Sequence, residues 1–175
     1  MCGKFTQMMS WREVVEFSNL TKATEGDEPE AATPMRFASV IHLDSQGQRK
    51  ATRMRWGFQK KDSSDPKARP EFIHARAETV DKRPTFRDAF LNRRGILVVA
   101  TFNEGPQLPN GKTEQHVIAP NDQLPLSIAV IWNREPFGED ALYTFVMMTV
   151  AANRLIGTIT NRMPMMIQPD EDLVP

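Results

Sequence analysis

The chain has 175 residues, 40% of them hydrophobic and 25% charged, with 22 basic side chains balanced by 22 acidic ones. That is enough apolar material for one packed domain, residues 1–175, and it excludes a chain disordered throughout. No apolar run approaches the roughly 20 residues of a membrane helix and no signal-peptide layout opens the chain, so a cytoplasmic protein with no membrane partner is expected.

In chain order, Ser10 and Glu13 form a capping box, and Val14, Val15, Phe17 and Leu20 recur at helical spacing, which predicts an amphipathic helix over 11–20. A polar loop follows over 21–33. Two β-rich runs, 37–43 and 50–58, flank Asp44-Ser45-Gln46-Gly47 and read as a hairpin. Residues 60–70 read as a basic loop. Thr85 is placed to cap a short helix carrying Phe86, Ala89, Phe90 and Leu91. The apolar run 96–102 reads as one buried strand. Further strands are expected over 115–119, 127–132 and 143–150, separated by the turn signals Pro109-Asn110-Gly111 and Pro120-Asn121-Asp122. Strands that follow strands without helical crossovers predict an α+β fold, with a curved, mainly antiparallel sheet or an open β-barrel and a few short helices.

The zero net charge conceals an asymmetry. Residues 49–94 hold 14 Lys and Arg against 6 Asp and Glu, and the rest of the chain holds 8 against 16. A basic block of this kind suits a surface that follows phosphates, although before any motif is read a solvated charged face is the simpler explanation.

Cys2 is the only cysteine, which excludes an internal disulfide and a thiolate zinc cage; neither a metal nor a cofactor is expected. Removal of Met1 would leave a free α-amine and a thiol on one residue. Such a 1,2-aminothiol attacks an aldehyde to form an imine and then closes a thiazolidine ring. Free amine and thiol titrate near roughly 8 and 8.5, so a modest depression makes both nucleophilic at neutral pH.

Met1-Cys2-Gly3-Lys4-Phe5 resembles the opening of the SOS-response-associated peptidase (SRAP) family, where Met-Cys-Gly-Arg precedes an aromatic residue. The segments Arg55-Trp56-Gly57, His74-Ala75-Arg76-Ala77-Glu78-Thr79, Pro84-Thr85-Phe86-Arg87-Asp88-Ala89-Phe90 and Asn161-Arg162-Met163-Pro164 are similar to family blocks in the family's order. Thr149 to Asn153 resembles a further block that reads Thr-Thr-X-Ala-Asn. The resemblance implies a protein that binds single-stranded DNA at abasic sites and captures the opened sugar aldehyde on Cys2 as a covalent DNA-protein crosslink. It also implies removal of Met1 by an autopeptidase-type or aminopeptidase step. A monomer, associated with the nucleoid when bound to DNA, is expected, with a further strand or helix beyond Pro175.

Residue by residue, the resemblance places a proton-shuttling carboxylate at Glu104. His74 stands where the family has asparagine, and Thr160 where it has histidine, so His74 is the candidate to supply the missing imidazole. Gly105 stands where a tryptophan is common. Lys4, Arg76 and Arg162 match basic positions and Thr149 a further block, giving a DNA-binding set that Trp56 joins if it stacks on a base. Arg87, Arg93 and Arg94 would extend the basic track. Two other readings remain: a nucleic-acid-binding module with an impaired site, and a thiol hydrolase pairing Cys2 with His74. The clustered methionines read as core filler, and His42 and His116 as strand residues facing solvent or a backbone carbonyl.

Overall fold

A computed structural model describes residues 3–7, 30–60, 65, 68–106, 114–122, 124–137 and 140–167. The helix expected over 11–20 lies outside them, as does Cys2.

Alternation of apolar and polar residues produces the first long hairpin. Strand β3 (Phe37–Leu43) pairs antiparallel with β4 (Arg49–Trp56) from Phe37 opposite Arg55 to Leu43 opposite Arg49. Asp44 ties the turn, its Oδ1 accepting from the Gln46 and Gln48 amides at 2.8 and 2.9 Å. With β6 (Arg94–Val99), β9 (Leu126–Phe137) and β10 (Asp140–Ala151), this hairpin forms a barrel in the order β10-β4-β3-β6-β9. An antiparallel β9–β10 ladder, running from Asp140 opposite Phe137 to Met147 opposite Val130, closes it. The α+β expectation of a curved sheet or open barrel is met by a barrel that is closed, which leaves none of these five strands with an unpaired edge. All contacts in the barrel are antiparallel except β4 with β10.

Val40, Met54, Trp56, Leu97, Val99, Ile128, Val130, Phe145 and Met147 alternate inward and fill the barrel. Each is worth about 1.5–3 kcal/mol of transfer free energy when fully buried. Gly95 lies where β3 and β6 approach too closely for a side chain: a Cβ there would stand 2.8 Å from Val40 Cγ1 and 2.9 Å from the Ile41 carbonyl oxygen.

A second, antiparallel sheet runs β2 (Glu30–Ala32), β1 (Lys4–Gln7), β7 (Thr101–Glu104), β8 (His116–Ile118). Its Phe5, Ala32 and Phe102 join the barrel's own core. The chain passes from barrel to this sheet at Ala100, so the apolar run expected as one strand is two. Ala100 donates its amide to the Thr6 carbonyl at 3.0 Å, and both halves are apolar because both face the same core.

Strand β5 (His74–Arg76) extends the barrel alongside the last third of β10, in parallel, while β11 (Arg162–Pro164) pairs with β10 on the other side and β12 (Met166–Ile167) pairs with β9. Helix α1 (Pro84–Asn92) covers the outer face of the barrel through Phe86 and Ala89, packed in a second cluster with Val80, Ala129, Ile131, Val146 and Met148. Thr85 does not cap it. Pro84 begins the helix, preceded by Arg83 in extended conformation with no side-chain cap, because proline's fixed φ suits the first helical position and its missing amide is not needed there. Among the described residues no helix is long and apolar enough to cross a membrane.

Candidate active site

Three segments that are distant in sequence meet at the end of the barrel covered by the second sheet. The first strand delivers Lys4 opposite Asn103 on β7, one residue before Glu104. Glu104 ends β7 and is only 1% exposed. It alternates with Phe102, so it points to the same face as Phe5 and Ile118, which stand opposite Phe102 on either side. His116 stands directly opposite Glu104 across the β7–β8 ladder.

His74 opens β5 opposite Met147. Its ring meets the edge of Trp56 at 6.0 Å, and Trp56 in turn lies 5.1 Å from Phe5. The imidazole therefore borders the junction between the barrel and the second sheet. Trp56 itself is not a stacking platform: it is fully buried, packs near-parallel to Phe145 and donates Nε1–H to the Ile73 carbonyl at 2.9 Å. A base could reach its face only by opening the barrel.

Farther along β10, Thr149 lies opposite Arg76 on one side and Pro164 on the other. Arg162 donates from Nη1 to Glu78 Oε1 at 2.6 Å, and from Nη2 to Glu78 Oε2 at 2.9 Å and to the Thr149 carbonyl at 2.6 Å. The Thr149 hydroxyl, 3.2 Å from Nη2, completes the cage. This fork holds the Glu78 carboxyl down at about 2, the hydrogen bonds from Arg162 being the largest cause. Thr149 is buried and serves Arg162 within the protein, and any phosphate at Arg162 would compete with Glu78.

Arg76 is exposed on the same short strand as His74, and Lys4 is exposed at the start of β1. Arg93 does not extend this basic surface. It is bound at the far end of α1 to Asp88, to Asn133 Oδ1 at 3.0 Å and to the Trp132 carbonyl at 3.1 Å. Thr160 follows a 3-10 turn, Ile156–Thr158, and donates its amide to the Ile156 carbonyl at 3.0 Å. His42 lies in β3, remote from these residues in the ladder; its Nδ1 donates to the Leu43 carbonyl at 2.9 Å and its Nε2 accepts from the Thr52 hydroxyl at 2.8 Å. Burial lowers its pKa.

A closed five-stranded barrel, joined by a second sheet that sets a buried carboxylate beside the first strand, defines the structural class. The chain matches the SOS response associated peptidase (SRAP) family over residues 1–173 and belongs to it. It is 26% identical over 177 residues to the abasic site processing protein YoqW of Bacillus subtilis, covering 98% of this chain and 78% of that one. To the abasic site processing protein YobE of the same organism it is 25% identical over 170 residues, covering 95% and 78%. A crystal structure from Bordetella bronchiseptica superposes with a TM-score of 0.77 at 20% identity, over 96% of this chain and 84% of that one. One from Bacteroides thetaiotaomicron gives 0.78 at 18% identity, over 98% and 79%. These two likenesses are of fold.

Proposed function

We propose that this protein processes abasic sites in single-stranded DNA by forming a covalent crosslink through Cys2. The observation that carries the reading is the pairing of Lys4 with Asn103: two residues after the only thiol of the chain, β1 is fixed beside the buried Glu104. Membership of the family, and its likeness to two abasic site processing proteins, support the same substrate.

The chemistry begins with hydrolysis of the Met1–Cys2 peptide bond, consuming one water and freeing the α-amine. That amine adds to the C1′ aldehyde of the ring-opened sugar and the carbinolamine loses water to give an imine. The thiol then adds across the C=N bond, its proton passing to nitrogen, and the thiazolidine closes. Glu104 moves protons at the carbinolamine and His74 supports it from the barrel side. Lys4 and Arg76 hold flanking phosphates, each contact adding to salt sensitivity.

The test incubates the purified protein with a single-stranded oligonucleotide carrying one abasic site. A heat-stable, slower-migrating band is expected from the wild type, absent from Cys2→Ala and weakened in His74→Ala. Salt-sensitive binding without that band would overturn the covalent step and leave a DNA-binding module. Loss of binding as well would remove nucleic acid from the account.

A further inference from the structure

Glu104 must exchange protons with water if it is to act repeatedly or in both directions, yet it is 1% exposed. Among the described residues, the register of the second sheet gives it a titratable cross-strand neighbour that leads outward. Residues directly opposite each other in an antiparallel ladder point to the same face, with Cβ atoms about 4.5–5.5 Å apart, and the residue opposite Glu104 is His116. The His116 side chain is 41% exposed, and its Nε2 lies 3.5 Å from Oε1 of Glu114, whose own side chain is 58% exposed. Carboxylate, imidazole and carboxylate thus form a row from the core to solvent.

We propose that His116 relays protons between solvent and the buried Glu104 carboxylate, with Glu114 orienting the ring at the outer end. This inference rests on the abasic-site reading for its consequence in catalysis. An imidazole suits the task because one ring nitrogen can accept a proton while the other releases one. β8 lies at the edge of its sheet and pairs only with β7 among the described strands, so His116 stands at the sheet edge with Glu104 as its cross-strand partner. Among the described residues, the charged groups set beside it are Glu104 from β7 and Glu114 from the segment before β8. Lys4, one strand farther, pairs with Asn103, whose side chain points to the opposite face.

As a positioning residue acting through Glu104, His116 should affect rate and pH dependence more than DNA affinity. The experiment follows crosslink formation at saturating abasic oligonucleotide, across pH, for the wild type, His116→Gln and His116→Ala. A fall of roughly 100-fold, the lower end of general acid–base effects, is expected in the rate at saturation, with the neutral-pH limb of the profile flattened. Added imidazole should restore His116→Ala in proportion to its concentration, which a misfolded variant would not allow. An unchanged profile in His116→Gln would overturn the proposal.

A second arm needs no DNA. The ring nitrogen-15 chemical shifts of His116 are compared between the wild type and Glu104→Gln at neutral pH. Altered shifts support the contact, and identical shifts overturn it whatever the crosslinking result. Altered shifts in a wild type that forms no crosslink would leave the Glu104–His116 link standing and sink the abasic-site reading instead.

Discussion

Arg162 and Glu78, 84 residues apart, face each other as a two-pronged ion pair, and Thr149 on β10 holds the guanidinium from behind. The fork joins the segment after β5 to the start of β11 at the site end of the barrel. Arg162 is thereby a fastening within the protein before it is anything to DNA.

The fastening should be visible in the acid response. Glu78 titrates at about 2 in the folded chain against an ordinary 4.5, so its stabilisation is complete above the ordinary value and is lost as pH falls through the folded one. Glu78→Gln removes that window. Thermal midpoints measured for both proteins should diverge most above pH 4.5 and converge as pH approaches about 2. Parallel curves would show that the pair contributes nothing.

Gly57 adopts φ +119, where L side chains are strained, and a Cβ there would stand 2.4 Å from Pro70 Cβ and 2.5 Å from Pro70 Cγ. The proline ring cannot swing aside. Gly57→Ala should cost about 1–3 kcal/mol from backbone strain alone, more with the clash. Urea unfolding should show a lower midpoint with an unchanged slope; an unchanged midpoint would mean that the loop shifts freely.

Trp56 separates core packing from base stacking. Trp56→Leu removes the ring and the bond to Ile73, and should lower the unfolding midpoint while leaving affinity for single-stranded DNA within about twofold. A stacking residue would instead lose about 1–3 kcal/mol of binding. A drop in affinity at constant stability would restore the stacking role.

Arg76 is the exposed cation nearest His74 in the chain. If it holds one phosphate, Arg76→Ala should make the log–log salt slope of single-stranded DNA binding shallower by about 0.7. Fluorescence anisotropy at several salt concentrations measures this, and an identical slope would place Arg76 outside the interface.

Much of the barrel can be read from the chain because long strands announce themselves. The alternation across β3 and β4, with an Asp-Ser-Gln-Gly turn between them, permits little else. Strands of two or three residues such as β2, β5 and β12 carry too few residues for a period to show. The break at Ala100 is hidden because Val99 and Phe102 are apolar for the same reason, contact with one shared core. At the site, family motifs single out Glu104 and His74, but Trp56 follows a motif equally well whether it packs or stacks. His116 is overlooked because an isolated histidine in a strand acquires meaning only once its cross-strand neighbour is known, and no local pattern reveals a register.

Strand β10 is hydrogen-bonded in turn to β9, β4, β5 and β11. The amides that should resist deuterium exchange longest therefore belong to the same continuous stretch of backbone that carries Thr149 to Arg162 and Met147 to His74. The residues proposed to support the crosslinking reaction, His74 among them, are paired to this stretch. Warming should preserve it up to the cooperative melt and extinguish it there, leaving no temperature range in which a folded protein has already gone silent.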